Sequence, residues 1–249
     1  ERLKLMKPGL GDNYALVNVP EYTVRVIDSN GTAVAMSVVV GQRHQQTPIF
    51  SANLQYITLN PQWGVPDSIA RNEVIPKLLK DPNYLESQNM VIRTSYDLNT
   101  PAIDKDSVDW EAYLAEEKYS KDMSYKFIEV PSEKNGLGRV KFIFPNKHSV
   151  YMHDTQSKHL FKRKVRTYSH GCVRLEKPVV MLDHISKNYT SKTPEEVKEH
   201  YDSLKTHHMG LKKKLPVHTA YLTTYVNECG ELLVFNDIYG FDRSQKLNF

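Results

Sequence analysis

The residues with the clearest chemical potential lie together in the stretch Ser169-His170-Gly171-Cys172-Val173-Arg174. A cysteine thiol becomes a nucleophile when neighbouring imidazole or cationic groups favour its thiolate. His170 precedes Cys172 by two positions and Arg174 follows it by two. Gly171 permits a sharp turn, so backbone N–H groups near Cys172 are predicted to point at a developing oxyanion. The stretch therefore predicts a nucleophilic cysteine.

A second stretch, Tyr151-Met-His-Asp-Thr155, ends a predicted strand. His153 in this stretch lies 19 positions before Cys172. A cysteine nucleophile needs a base within hydrogen-bond reach, and a strand end can deliver a histidine to a cysteine on a following loop. We therefore predict that His153 is the general base, and that its second ring nitrogen requires an orienting acceptor.

Other uses of these side chains are less well supported by their spacing. His153, His170 and Cys172 could bind zinc, but no paired Cys-x-x-Cys or His-x-x-x-His spacing accompanies them. Cys229, the second cysteine, falls in a predicted turn beside Gly230. A disulfide between Cys229 and Cys172 would remove the proposed nucleophile, so we expect neither a metal site nor a disulfide.

Four residues stay open between a structural and a functional role. Arg174 offers a planar fork for a carboxylate, or it joins a structural ion pair. Ser169 is either a pocket hydroxyl or a local partner of the backbone. Asp154 either caps its own turn or serves the active site. Trp63 either packs in a core or lid, or forms a wall of a substrate groove.

The elements that must position these residues are mostly strands. Segments rich in β-branched and aromatic residues predict strands at Tyr14–Val19, Tyr22–Ile27, Ala33–Val40, Asn53–Asn60, Arg139–Phe144, Ser149–Met152, Val217–Val226 and Glu231–Ile238. Asn30-Gly31 between two such segments predicts a hairpin. We expect a mainly β body, either a sandwich or an open barrel, with peripheral helices.

The region between Pro66 and Gly138 has a different composition, polar and interrupted by prolines. Ser68 predicts the start of a helix that runs to about Lys80, with Pro76 breaking or restarting it. Two further helices are predicted outside this region, over 177–188 and from Thr193 onward. Because a loop this long is usually functional or disordered, we expect residues 66–138 to form an inserted lid.

Composition limits the classes of function. The chain has 249 residues, of which 40% are hydrophobic and 25% charged, so it is long enough to bury a large core. The formal net charge is +4, and the charged residues are scattered along the chain. Lys212–Lys214 is expected to be a solvated turn. We therefore expect no nucleic-acid partner. The longest apolar stretch, Ala33–Val40, is far shorter than the ~20 residues of a membrane span. The chain opens on Glu1 without a signal-peptide pattern, and we expect it to be a piece of a longer protein.

The Ser169-His170-Gly171-Cys172 motif with His153 upstream resembles the L,D-transpeptidase catalytic domain, the YkuD-type family. The sequence resembles more narrowly the YcbB-like branch of Gram-negative bacteria, which carries an arginine where this chain has Arg174. The similar landmarks are Leu16–Pro20, Thr47–Phe50, Asn60–Pro66, Ser68–Arg71, Leu137–Phe142, Val150–Thr155 and Asp237–Gly240. The resemblance thus implies that residues 1–249 form one catalytic domain of YkuD-like fold, with 66–138 as its substrate-capping subdomain.

The resemblance implies acyl transfer on the stem tetrapeptides of peptidoglycan. Cys172 would attack the carbonyl of the third stem residue and release D-Ala, giving a thioester. An amine of a second stem would then resolve the thioester and form a 3→3 cross-link. His153 would take the thiol proton and later serve the leaving and attacking amines.

The same resemblance implies roles for the neighbouring residues. The backbone around Gly171 would stabilise the oxyanion, Ser169 and His170 would shape the pocket or orient the base, and Arg174 and Tyr151 would contact the donor stem. Carbapenems are expected to acylate Cys172, and no cofactor is expected. The implied compartment is the periplasm, with a possible inner-membrane anchor in a region outside this chain.

Two other functions compete with cross-linking. The first is a carboxypeptidase or endopeptidase that hydrolyses the same stems with water as the acceptor. The second is a cell-wall binding module without catalytic activity. A covered, dry acceptor channel would favour amines over water, and an acyl adduct on Cys172 would exclude the binding module.

Overall fold

The computed structural model describes residues 9–116 and 122–244. The strands within these residues are β1 (Tyr14–Asn18), β2 (Thr23–Asp28), β3 (Gly31–Gly41), β4 (Phe50–Leu59), β5 (Trp63–Gly64), β6 (Met90–Arg93), β7 (Lys126–Glu129), β8 (Val140–Ile143), β9 (Met152–His153), β10 (Thr167–Ser169), β11 (Val173–Leu175), β12 (His207–Ala220), β13 (Thr224–Val226) and β14 (Leu232–Val234). Nine of them form one sheet in the order β10-β3-β11-β9-β8-β4-β12-β1-β2. Because β3 also pairs with β2, the pairing runs in a closed circuit, and the mainly β prediction is confirmed as a barrel-like body.

The core of this body lies inside the circuit of strands. Alternate side chains of a strand point to opposite faces, so the valines of β1 and β2 turn one face inward. Val17, Val24 and Val26 are fully buried, and Phe142 and Met152 join the same cluster from β8 and β9. The β-branched residues that predict these strands therefore also build the core.

The strand ends differ from the predicted ones where non-local pairing decides them. The turn between β2 and β3 falls on residues 29–30, since Asp28 pairs with Gly31. The strand predicted at Ser149–Met152 is limited to Met152–His153. The last long strand begins at His207, so Lys212–Lys214 is not a turn between elements but lies where β12 shifts its register against β4.

The insertion contains only short helices, and the two longest helices lie on the body. The α-helices are α1 (Asp67–Ile69), α2 (Ile75–Lys80), α3 (Tyr84–Ser87), α4 (Trp110–Glu116), α5 (Pro178–Tyr189), α6 (Pro194–Asp202) and α7 (Phe241–Ser244), with a π-helical turn at Ala70–Val74 and 3-10 turns at Lys105–Ser107 and Lys158–Lys162. Thr193 caps α6 through a reciprocal capping box with Glu196, which confirms the predicted start. In the described ranges, none of these helices has the length and apolar composition to cross a membrane.

The insertion lies between two strands that are neighbours in the barrel. Leu59 at the end of β4 pairs with Val140 at the start of β8, so residues 60–139 leave and return at one point. Arg139 closes this point by donating from Nε to Asn60 Oδ1 at 2.6 Å. The segment has its own sheet, in the order β5-β7-β6. Since β5 belongs to this sheet, the folded insertion includes Trp63–Gly64 as well as the predicted segment 66–138.

A separate hydrophobic cluster stabilises the insertion. Its buried residues are Val65, Ala70, Val74, Ile75, Leu78, Leu85, Met90, Ile92, Trp110, Tyr113, Met123 and Phe127. The predicted helix over 68–80 forms in pieces. Pro76 sits in the first turn of α2, directly after the π-helical turn, because proline has no N–H to continue the preceding hydrogen-bond pattern.

Candidate active site

Strands β8, β9 and β11 lie side by side and present chemically active side chains to one cavity. Arg174 on β11 is paired with His153 on the parallel strand β9, and Lys141 on β8 is paired with the same histidine. Cys172 directly precedes β11, and Tyr151 directly precedes β9. All of these residues line a cavity of about 540 Å³.

The cavity brings together residues that the sequence predicted separately. The predicted site residues that line it are Trp63, Tyr151, His153, Ser169, His170, Cys172 and Arg174. Gly171 contributes through its backbone, with a φ of +111° that a residue with a side chain rarely adopts. Cys172 and His153 therefore lie on the same side of the molecule, 19 positions apart in the sequence.

The loop that carries Cys172 is braced by its own hydrogen bonds. The Ser169 hydroxyl donates to the carbonyl of Cys172 at 2.5 Å, and the N–H of Gly171 donates to the Ser169 oxygen at 3.1 Å. Thr47 adds a bond from its hydroxyl to the carbonyl of Gly171 at 2.8 Å. Ser169 is thus a partner of the loop backbone. The Gly171 N–H is already bonded to Ser169.

His153 is buried and uncharged at neutral pH. Burial lowers the pKa of His153 to about 3, and the positive charges of Arg174 and Lys141 act in the same direction. The backbone of Asp154 and of Leu137 partly opposes this shift. The Nδ1 atom of His153 is buried without a hydrogen-bond partner in the described structure.

Cys172 is held in a site that favours the neutral thiol. Burial raises its pKa, while the backbone and hydroxyl of Tyr151 and the charges of Lys141 and Arg174 lower it. Its sulfur lies 3.9 Å from the carbonyl of Ser149. The described structure contains no hydrogen bond between Cys172 and His153, and such catalytic contacts often tighten only when substrate binds.

His170 connects the loop of Cys172 to the insertion. Its Nε2 lies 2.7 Å from Oε1 of Glu73, which belongs to the π-helical turn after α1. Both side chains are partly exposed, at 30% and 41% of their surface. The imidazole therefore contacts the insertion, and among the described hydrogen bonds neither His170 nor Ser169 orients His153.

Asp154 fixes the strand end that carries His153. One carboxylate oxygen accepts the N–H of Arg139 at 2.9 Å, and the other accepts from Thr155 at 2.7 Å and from the ammonium of Lys158 at 2.6 Å. The carboxylate packs so closely on Gly138 that a Cβ there would lie 2.3 Å from it. Asp154 therefore joins β9 to the returning end of the insertion, which decides the open question in favour of a structural role.

Trp63 and Tyr151 form one wall of the cavity. Trp63 on β5 packs against the cluster of the insertion and also lines the cavity. Burial raises the pKa of the Tyr151 hydroxyl, and its interaction with Cys172 acts in the same direction. Tyr151 consequently keeps its proton, and its hydroxyl can donate to a thiolate or an oxyanion.

Sequence reasoning missed two residues of the site. Glu73 is 97 positions from His170, and nothing in its local sequence marks it. Lys141 carried a weak signal, as the charged residue between the inward-facing Val140 and Phe142 of a strand. The described residues contain no group of three or more His, Cys, Asp or Glu that could hold a metal ion, and Cys172 and Cys229 are both free.

The fold and the site define a class: a barrel-like β domain with an insertion, in which a cysteine on a loop and a histidine at a strand end line one cavity. The family model of the L,D-transpeptidase catalytic domain (YkuD) matches residues 12–202. A Haemophilus influenzae protein named "Putative L,D-transpeptidase" is 30% identical over 237 residues, which is 94% of this chain. This chain belongs to the L,D-transpeptidase catalytic domain family, which confirms the resemblance.

The chain spans 46% of the length of that relative. Among solved structures, an L,D-transpeptidase from Mycobacterium smegmatis is similar at 12% identity and a TM-score of 0.33, covering 84% of this chain and 58% of that protein. L,D-transpeptidase 3 from Mycobacterium tuberculosis, in complex with a faropenem-derived adduct, is similar at 10% identity and a TM-score of 0.35, covering 84% and 60%. The family assignment rests on the family model.

Proposed function

We propose that this chain is the catalytic part of a peptidoglycan L,D-transpeptidase that forms 3→3 cross-links. The observation that carries the proposal is the convergence of Cys172 and His153 on one cavity in a chain of this family. The substrates are a donor stem tetrapeptide and an acceptor stem that supplies an amine. Cysteine is suited to this chemistry, because a thiol forms acyl intermediates that amines resolve.

In the first step the sulfur of Cys172 attacks the carbonyl of the third stem residue. The thiol proton passes to His153, the bond from this carbonyl to the D-Ala nitrogen breaks, and His153 returns the proton to the leaving amine. The products are a thioester and free D-Ala. The N–H of Cys172 and the hydroxyl of Tyr151 are the donors we assign to the oxyanion, and Gly171 contributes the turn that aims the backbone.

In the second step the acceptor amine attacks the thioester carbonyl. His153 takes a proton from this amine, the carbon–sulfur bond breaks, and His153 passes the proton to the sulfur, which restores the thiol. Arg174, whose Nε is buried without a partner, and Trp63 are the residues we assign to holding the donor stem. The insertion over 66–138 would cover the cavity and hinder water from competing with the amine.

The experiment is incubation of the protein with purified disaccharide-tetrapeptide muropeptides, followed by mass spectrometry of the products. Cross-linking predicts a dimer together with released D-Ala, and loss of both in Cys172→Ala. Tripeptide products without dimer would replace the proposal with hydrolysis of the same stems. The matched control is Cys229→Ala, since Cys229 is exposed in a turn and outside the cavity.

Carbapenems are proposed as inhibitors of the same cysteine. Their strained β-lactam carbonyl is an acyl donor that a reactive thiol opens, leaving a covalent adduct. Intact-mass analysis should show one adduct on the parent protein and on Cys229→Ala, and none on Cys172→Ala. Absence of any adduct and of any product from muropeptides would favour a binding module without catalysis. We propose the periplasm as the site of action, because the proposed substrate is peptidoglycan.

A further inference from the structure

Lys141 is a cation on the cavity face of β8 that the proposed reaction does not use. Its neighbours Val140 and Phe142 are fully buried in the barrel core, so the alternation of the strand turns Lys141 to the opposite face. It lines the same cavity as Cys172 and is paired in register with His153. Partial loss of water around the ammonium group of a lysine in this position costs free energy.

The ammonium group of Lys141 is held by an aromatic ring. Its Nζ lies 3.8 Å from the centre of the Tyr151 ring, which is a close cation–π contact. Within the described part of the chain, no carboxylate lies within ion-pair distance of this nitrogen. The only acidic residue among those that line the cavity is Glu73, which is bonded to His170. The charge of Lys141 is therefore not neutralised locally.

The uncompensated charge acts on both members of the reacting pair. Lys141 lowers the pKa of the Cys172 thiol, and Cys172 in turn raises the pKa of Lys141 against the effect of burial. Lys141 also lowers the pKa of His153. A positive charge near a thiol favours the thiolate, and near an imidazole it opposes a second positive charge.

We propose that Lys141 is a positioning residue that stabilises the thiolate of Cys172 during attack. The inference rests on the proposed role of Cys172 as the nucleophile. It assigns the cation to the electrostatics of the thiol and not to substrate binding. The other titratable or charged groups that face Cys172 from the surrounding elements are Glu73, His148, Tyr151, His153, His170 and Arg174.

The test is the rate at which iodoacetamide alkylates the thiol, measured as a function of pH in a Cys229→Ser background that leaves Cys172 as the sole cysteine. Lys141→Met retains the length of the side chain without its charge. At pH values below the thiol pKa we expect it to be alkylated about tenfold more slowly, a shift of the profile by about one pH unit. Lys141→Arg should restore most of the rate, because it keeps the charge and the ring contact.

The matched control is Lys212→Met, which removes the same charge from an exposed position on β12. It should leave the profile unchanged. The inference would be overturned if the pH profiles of Lys141→Met and of the parent coincide. It would also be overturned if Lys141→Arg reacts as slowly as Lys141→Met, because the shape of the side chain, and not its charge, would then control the rate. If Lys141→Met fails to fold by circular dichroism, Lys141→Gln takes its place.

A second measurement separates this inference from the proposed function. A variant with an unshifted thiol profile but a raised KM for the donor tetrapeptide would make Lys141 a substrate contact and would overturn the inference. Failure of the parent to form any muropeptide product or carbapenem adduct would remove the proposed function. The alkylation profiles would still report whether Lys141 controls the thiol.

Discussion

At the scale of single residues, burial shifts the pKa values of the two groups of the proposed reacting pair in opposite directions. It raises the pKa of the Cys172 thiol and lowers the pKa of His153 to about 3, because each charged form loses its water. At neutral pH the resting pair is therefore a thiol beside a neutral imidazole. We therefore expect proton transfer to accompany the proposed attack of the sulfur.

The resting state predicts the pH dependence of the thiol. Below its pKa, the thiolate fraction rises tenfold for each pH unit, and here that rise continues above pH 9.0, the ordinary pKa of a cysteine thiol. We expect the rate of alkylation by iodoacetamide in Cys229→Ser protein to increase with pH up to that value. A plateau that begins below neutral pH would contradict it, because a thiolate–imidazolium pair would then be the resting state.

The two histidines of the site should differ in importance. His153→Gln removes the proposed base, and we expect carbapenem adduct formation to slow by about 100-fold or more. His170→Gln removes a partly exposed contact with Glu73, whose strength we place at about 1 kcal/mol or less, so the slowing should stay below about tenfold. Rates of adduct formation by stopped-flow or mass spectrometry compare them. Equal losses would mean that His170 acts directly on the chemistry.

At the scale of elements, the junction between the insertion and β9 positions His153. The carboxylate of Asp154 accepts from Arg139 at the returning end of the insertion and from Lys158 beyond β9. Gly138 leaves the space for this carboxylate and adopts a φ of +65°. Because Asp154 directly follows His153 in the chain, a displacement of Asp154 also displaces His153.

Gly138→Ala tests this junction. The added Cβ would lie 2.3 Å from the Asp154 carboxyl at a backbone conformation that alanine rarely adopts, so we expect a loss of about 2–4 kcal/mol in the free energy of unfolding. Urea denaturation measures it. The matched control is Gly210→Ala on β12, where nothing lies within 4 Å of the new Cβ and the change should be about 0.5 kcal/mol or less. Equal stability of both variants would refute the role of the junction.

At the scale of the whole molecule, the fold consists of two hydrophobic clusters joined at the cavity. The barrel holds one cluster and the insertion holds the other. Glu129 of β7 lies at their border, paired with Trp63 and only 4% exposed. Burial raises its pKa to about 7, although its carboxylate accepts the N–H of Gly136 at 2.5 Å. This buried carboxyl makes stability depend on pH.

The sign of this dependence follows from proton linkage. The folded state binds the Glu129 proton up to about pH 7, whereas the ordinary pKa is 4.5. Its contribution is therefore fully present below pH 4.5 and is lost as the pH rises through 7. Glu129→Gln keeps an accepting oxygen without the charge, and we expect it to exceed the parent in stability by about 1–3 kcal/mol at about pH 8 and by little at about pH 5.

Urea denaturation at the two pH values measures this difference. Glu111→Gln, at an exposed position of α4, is the control and should not produce a comparable change. A Glu129→Gln variant that gains equally at both pH values would show that packing, and not ionisation, is responsible.

The sequence predicted those parts of the fold that depend on neighbouring residues. The β-branched segments of β1 and β2 and the capped start of α6 formed as expected, because alternation and capping act within a few residues. The closed circuit of strands could not be predicted, since β3 must choose partners far away in the chain. The early start of β12 at His207 was missed for the same reason. His207 pairs with Leu59, and this distant pairing extends the strand beyond the residues whose local composition predicts one.

The sequence by itself determined the chemical groups available to this protein: a cysteine in a glycine turn, a histidine at a strand end and an arginine nearby. The tertiary structure decided their protonation, their neighbours and their access to solvent. It buried His153, placed Lys141 against Tyr151 and brought Glu73 to His170. These properties depend on charge, distance and loss of water among residues far apart in the chain, and no local pattern encodes such distances.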